Sequence, residues 1–473
     1  MKSLKKNVLY NSIYQFLILF LPFITAPYLA RVIGATGVGI YSYSYSVAQY
    51  FVYIAMLGLN NYGNRSIASV NHDREKRSKV FSEIYCMQLI TSVCSVILYI
   101  AYIILSEEKV AASIMLLYVF SAMFDINWLF FGTENFKLTV TRNTIIKIGC
   151  LVAIFLFVKD SGDTYVYVLI MALSTFISQA ALWPFVKREV DFKFPKLNDI
   201  IKHFKPNLLL FIPVVAVSIY KVMDKIMLGS LSSTEVLGYY EYANKIYDIP
   251  LLLVTAIGTV MLPRMTYLYS NDKLNEATKY LDETMEYVLA FANAATMGLI
   301  AIADEFVLLY YGKAFMQSGI IIKYLCVTIV VVAAGNVLRT QYLIPKKRDA
   351  VYSISAILGA VVNFIINAIL IPSKGAIGAA IGTIAAEFVV FAYQAFCVRK
   401  EIKWSKYILM EFQYLILAVV MWFAITKITL NSTFGTLVIR IVLGAIIYGG
   451  GFVTVFYMRN KKNPVKLLLR LKK

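Results

Sequence analysis

Three ionisable side chains interrupt a single apolar run, Ser218-Ile219-Tyr220-Lys221-Val222-Met223-Asp224-Lys225-Ile226. The next run carries Glu241, Lys245 and Asp248 at i, i+4 and i+7, which places them on one face of a helix. A charge at the centre of a bilayer helix costs roughly 2.5–3.5 kcal/mol on insertion scales, so such a face meets a partner helix or water. Two chemistries suit the pattern. Lys221, Lys225 and Lys245 could line a hydrophilic cavity and receive an anionic substrate, with Gln49, Asp224, Glu241 and Asp248 as its other polar groups. Alternatively, Lys221 pairs with Asp224 and Glu241 with Lys245, and the pairs only join two helices. Arg31, three residues before Gly34, sits at a cavity mouth or among lipid headgroups. Glu387 lies about 18 Å along its run, near the midplane, as a coupling carboxylate or an interhelical hydrogen-bond donor.

These positions have meaning only if the runs around them are membrane helices. Of the 473 residues 60% are hydrophobic and only 15% charged, and the mean hydropathy is +0.70. Soluble globular chains are nearer 45–50% apolar and about 25% charged, so a water-soluble enzyme and a disordered polymer are excluded. About 14 apolar runs of spanning length follow one another, from 9–33 and 38–61 through 111–131, 206–229, 236–260, 318–341 and 375–397 to 406–427 and 434–458. The first is too long for a signal peptide and reads as a retained helix.

The formal charge of +19 tests that count. With the N-terminus inside, 34 of the 46 Lys and Arg residues fall on cytoplasmic segments and 6 on outer ones. That asymmetry is the positive-inside rule, and it puts both termini in the cytoplasm of a multi-pass protein. The basic charge is therefore topological and implies no nucleic-acid partner. The outer connections, such as Gly34–Val38 and Pro372–Lys374, are too short for an external catalytic domain. The five cysteines form no CxxC pair. The Gly312-Lys313 dipeptide has Val307 where a P-loop needs glycine. No catalytic residue, metal site or cofactor motif is read from the chain. The basic segment Lys187–Lys205 is expected along the headgroup layer.

An offset of 199 residues superposes Gly39 on Gly238, Tyr41 on Tyr240, Tyr43 on Tyr242 and Arg65 on Arg264 without a gap. The polar triple Ser42, Ser46, Gln49 then falls on Glu241, Lys245, Asp248. Helix 2 matches helix 8, so the period is six helices and the halves are parallel. The expected domains are a six-helix lobe over 1–190, a cytoplasmic linker over 191–205, a second six-helix lobe over 206–400, and two added helices with a basic tail over 401–473. Pro22 and Pro27 in helix 1 and Pro213 in helix 7 mark bends that serve as hinges or as fixed kinks. The tyrosines at the outer ends of helices 2 and 8, Tyr41, Tyr43 and Tyr45 with Tyr239, Tyr240 and Tyr242, read as an interfacial belt or as sugar-stacking rings.

Several stretches resemble the Wzx-type polysaccharide flippases of the multidrug/oligosaccharidyl-lipid/polysaccharide exporter superfamily. They are 27–34 (PYLARVIG) with Gly37 and 39–43, 124–136 (FDINWLFFGTENF), 224–229 (DKIMLG) leading to Gly238, and Ile371-Pro372 with 375–383 and Glu387. The resemblance covers nearly the whole chain. It implies an all-α membrane protein with two parallel six-helix lobes in a V and two peripheral helices. It implies transport of an undecaprenyl-diphosphate-linked oligosaccharide to the outer leaflet of the bacterial plasma membrane, with a proton or sodium ion as coupling partner and a polysaccharide polymerase as neighbour. Arg31, Lys221, Lys225 and Lys245 match the cavity cations of such proteins. A cation-coupled drug exporter of the same fold, or a flippase for a peptidoglycan precursor, is the alternative.

Overall fold

A computed structural model describes residues 21–460, apart from the side chains of 212–217, 219–221 and 460. Lys221 and Pro213 therefore lie outside the described side chains, as do the basic ends of the chain. The first helices are α1 (21–32), α2 (Gly34–Met56), α3 (Leu59–Ser69), α4 (Arg74–Leu105), α5 (Lys109–Ser121), α6 (Asn127–Gly132) and α7 (Phe136–Phe157). Next come α8 (Thr164–Ala180), α9 (Trp183–Glu189), α10 (Leu197–Ile201), α11 (Phe204–Leu231), α12 (Thr234–Ser270) and α13 (Leu274–Tyr310). The chain ends on α14 (Met316–Cys326), α15 (Thr328–Leu338), α16 (Asp349–Lys374), α17 (Ala376–Cys397), α18 (Trp404–Thr426) and α19 (Thr433–Asn460).

Ten helices among the described residues are long and apolar enough to cross a membrane. The bent pair Lys313–Cys326 and Thr328–Leu343, 44° apart, brings the total to eleven when counted as one span. These account for eleven of the fourteen expected runs. Of the other three, 9–33 lies mostly outside the described residues. The 23-residue α2 is long enough but is diluted by serines, tyrosines and glycines. The 28-residue α11 contains the side chains left undescribed.

Local sequence explains where helices stop. The Asp73 side chain accepts from the Lys76 N–H at 3.1 Å and caps the start of α4. Between α16 and α17 the chain turns on Gly375, at φ +52° and ψ −129°, a conformation open to glycine.

Backbone packing gathers the chain into two units, one ending at Gly238 and the other starting at Tyr239. By sequence α11 opens the second repeat, yet it packs on α2 and α3 of the first unit. The first unit has a core around the fully buried Trp128, Phe81, Phe130, Leu59 and Ile67. In the second, Ala418, Met421, Ile425 and Tyr448 bring α18 and α19 against Ala301 of α13.

One contact in the first unit bears on the repeat. A Cβ on Gly39 would overlap the Thr234 carbonyl oxygen, and a Cβ on Gly238 would overlap the Ala35 carbonyl oxygen. Gly39 and Gly238 are offset mates, and so are Ala35 and Thr234. Each glycine rests on the backbone of the other's neighbour four residues back.

Candidate functional site

Helix 4 (the fourth expected run, 111–131) and helix 10 (the tenth, 318–341) hold matching places in the two repeats, and both are broken. In helix 4, α5 ends in a tight turn over Ala122–Phe124, and Asp125 and Ile126 leave the helix before α6 begins. In helix 10 the break falls at Val327. The 199-residue offset carries Asp125 to residue 324, within one turn of that break.

A broken helix frees carbonyls and N–H groups that hydrocarbon cannot satisfy. Side chains from other helices do so here. Gln88 Nε2 donates to the Ala122 and Asp125 carbonyls at 2.7 and 2.9 Å, and Gln88 Oε1 accepts from Trp128 Nε1 at 3.0 Å. Trp183 Nε1 donates to the Phe124 carbonyl at 3.1 Å. Asp125 Oδ1 accepts from the Asn127 backbone and amide, and Asn127 Oδ1 accepts from Arg142 Nη2 at 3.0 Å. In helix 10, Thr296 Oγ1 donates to the Cys326 carbonyl, and Tyr247 and Thr328 share a hydroxyl–hydroxyl bond of 2.7 Å. The Phe124–Phe136 stretch singled out above is thus the hardware of a helix break.

The expected cavity residues divide between the units. In the first, Arg31 is exposed, and its Nη1 donates to the Pro27 carbonyl at 2.9 Å. Asp224 is buried and Lys225 half-buried on α11. On either side of them in sequence, α2 reaches α11. The Tyr43 ring covers Gly229 and Tyr50 OH donates to the Ser218 carbonyl at 3.4 Å. Gln49, half-buried, donates to Tyr53 OH at 2.9 Å. In the second unit, Glu241 and Lys245 are half-buried and Asp248 is exposed. Lys245 Nζ lies 4.6 Å from the Tyr242 ring centre, a cation–π contact. Glu387 is half-buried one turn beyond Thr383, whose hydroxyl is 3.4 Å from that of Tyr240. Next to them α16 presents the buried Asn363 and Asn367, bonded at 3.1 Å.

The tyrosines of helix 8 depart from expectation. Tyr239, Tyr240 and Tyr242 are buried rather than interfacial. The Tyr242 ring stacks on Tyr311 and Phe315, and the Tyr239 carbonyl accepts from Ser318 Oγ at 2.9 Å. Alternating hydropathy does not separate an interfacial tyrosine from a core one whose hydroxyl has a partner.

The two added helices bound a groove of about 460 Å3 with α12 and α13, apolar along Pro250, Leu253, Phe291, Gly298 and Gly444. Its charged member, Arg440, donates to Glu305 Oε1 at 2.8 Å and to the Ala301 and Ile428 carbonyls. His203, which stands between lysines in the sequence, is buried and bonded to Glu83 and Tyr62, a role that no pattern in the chain suggests. An isolated histidine beside lysines carries no local signal of such partners.

Residues 4–268 match the family described as polysaccharide biosynthesis protein. A "Putative O-antigen transporter" of Shigella dysenteriae is 23% identical over 410 residues, covering 84% of this chain and all of that one. A "Probable low-salt glycan biosynthesis flippase Agl15" of Haloferax volcanii is 21% identical over 349 residues, 70% of each chain. The solved structure "Lipid II flippase MurJ, inward closed conformation" superposes with a TM-score of 0.74 at 18% identity, over 96% of this chain and all of that one. At that identity the likeness establishes the fold.

Proposed function

Because the chain belongs to the polysaccharide biosynthesis protein family, we propose that it is a flippase that carries an undecaprenyl-diphosphate-linked oligosaccharide from the inner to the outer leaflet of the plasma membrane, both termini being cytoplasmic. The observation that carries the reading is the set of ionisable groups held at least partly buried inside apolar helices, Asp224 and Lys225 on α11 and Glu241 and Lys245 on α12. Such placement is retained where it serves a passage for polar cargo. The repeats over 1–190 and 206–400 form the two transporting lobes, joined by the 191–205 linker.

Translocation breaks no bond, so the chain needs recognition and alternating access rather than catalysis. Arg31, Lys221, Lys225 and Lys245 supply positive charge to the diphosphate. Gln49, Asp224, Glu241 and Asp248 hydrate the sugars. Glu387 exchanges the coupling proton or sodium ion. The groove beside α18 and α19 suits a polyprenyl chain, because its wall is apolar and the Arg440 charge is already neutralised by Glu305. Breaks in both fourth helices support the reading, since paired discontinuous helices flank the transport site in repeat-built carriers.

The test is deletion in a producing cell. Surface polysaccharide should disappear while the lipid-linked oligosaccharide accumulates in the membrane, and re-expression should restore export. Undiminished surface polysaccharide together with altered drug tolerance would instead support the exporter alternative. At equal protein level, the Lys225→Ala, Lys245→Ala double variant should lower export at least tenfold. Wild-type export in that variant would reject the cationic site.

A further inference from the structure

Outside the residues assigned to transport, the first unit holds a second cluster of titratable groups. Glu83 on α4 is 1% exposed, His203 at the start of α11 6%, and Tyr62 on α3 9%. Tyr62 OH and His203 Nδ1 are 2.6 Å apart, and His203 Nε2 is 2.9 Å from Glu83 Oε2. The same carboxylate oxygen is 2.9 Å from Lys202 Nζ, on a lysine side chain that is 48% exposed. Glu83 Oε1 is buried and has no hydrogen-bond partner among the described residues. The other charged groups near the cluster are Arg65 from α3 and Asp199 from α10.

The geometry accepts one proton without losing a bond. In the neutral imidazole, Nε2–H donates to Glu83 and Tyr62 O–H donates to Nδ1. When a proton arrives at Nδ1, that N–H donates to the Tyr62 oxygen, and the phenol hydrogen rotates away from the imidazole. A buried carboxylate with one orphan oxygen is poorly solvated, and an imidazolium beside it repays much of that cost. Lys202 lies at the surface and pairs with both Glu83 and Asp199, so it supplies only part of the compensation.

We propose that Glu83, His203 and Tyr62 form a cytoplasmic-side proton-binding site that sets how firmly the first turn of α11 is held to α3 and α4. His203 precedes α11 directly and its carbonyl accepts from Asn207 N–H, so the imidazole is fixed to the helix end. The ion pair strengthens the tie and exists only while the imidazole is protonated. The tie is therefore tight while the imidazole holds its proton beside the ionised carboxylate, and it slackens when that proton is lost. Only its consequence for transport rests on the flippase reading. The proton site itself is measured on the protein alone.

The chain has two histidines, and His72 is exposed. His72→Gln therefore leaves one imidazole for NMR in lipid nanodiscs. In that full-length background the imidazole signals are followed from pH 8 down to pH 5 and should report the binding of one proton. Glu83→Gln should move the midpoint down by about one pH unit or more, because the stabilising anion is gone. Lys202→Met changes only a half-exposed side chain, so it also serves if Glu83→Gln fails to fold. It should move the midpoint up, because a competing cation is gone. After correction for intrinsic rates, the amides of 197–207 should exchange about tenfold faster at pH 8 than at pH 6. No charge change over that range, a midpoint indifferent to both substitutions, or pH-independent exchange would overturn the proposal.

Discussion

Replacing Gly39 by alanine adds one methyl group where the Thr234 carbonyl oxygen already stands. The obstacle is backbone, so no side-chain rotation relieves it. To restore ordinary contact, α2 and the first turn of α12 must part by roughly 1.5–2 Å, a shift that places the cost near the top of the overpacking range, about 3 kcal/mol. That is close to a hundredfold in the folded-to-unfolded ratio. Gly238→Ala should cost a similar amount, since it meets the Ala35 carbonyl in the same way. If the contact is one reciprocal interface, separation forced by the first alanine makes room for the second. The double variant should then cost at least 1 kcal/mol less than the sum of the singles. Equilibrium unfolding of the purified protein in mixed micelles measures all three. Gly149→Ala and Gly298→Ala are the controls. A Cβ at either meets nothing within 4 Å, so each should be neutral or stabilise by up to about 1 kcal/mol. A Gly39→Ala protein within 0.5 kcal/mol of wild type, or strictly additive singles, would refute the close reciprocal crossing; both margins are about the scatter of ordinary surface changes.

Gln88→Ala should destabilise by roughly 3 kcal/mol, because two carbonyls at the helix break and the Trp128 N–H all lose their partner in a buried place; a loss under about 1 kcal/mol in the same unfolding assay would mean the break is held otherwise. Arg440→Ala should cost about 3–5 kcal/mol by leaving Glu305 without its buried cation, whereas Arg440→Met with Glu305→Gln should cost clearly less; equal losses would argue that Arg440 matters only for packing. Burial alone would raise the carboxyl of Glu401, but hydrogen bonds from Tyr342, Arg348 and Lys346 outweigh it and hold it below the usual range. Its folded value being lower than its unfolded one, the stabilisation is present above the ordinary Glu value and is lost as pH falls through the lowered one. The thermal midpoint should therefore drop between about pH 5 and pH 3, and Glu401→Gln should flatten that drop; an unchanged slope in the variant would dismiss this carboxylate as the cause.

The sequence by itself determined the class of fold and most of the spans, and the expected repeat and polar stripes were read from the same kind of information. Each rests on information local along the chain: twenty or so apolar residues make a span, loop charge alternates with sidedness, and a 3.6-residue period fixes the face. The offset of 199 residues needed only identity of residues. Tertiary structure decided the rest, because it depends on which distant groups meet. The run 111–131 reads as one uninterrupted helix, and Gln88 and Trp183, from other helices, satisfy the carbonyls freed at its break near Asp125. Tyr240 and Tyr242 are interfacial by composition and buried by the partners that Thr383 and Tyr311 provide. Glu83 and His203 are 120 positions apart. Neither residue's neighbours in sequence announce the other, and a buried carboxylate is stable only because folding brings a donor to it.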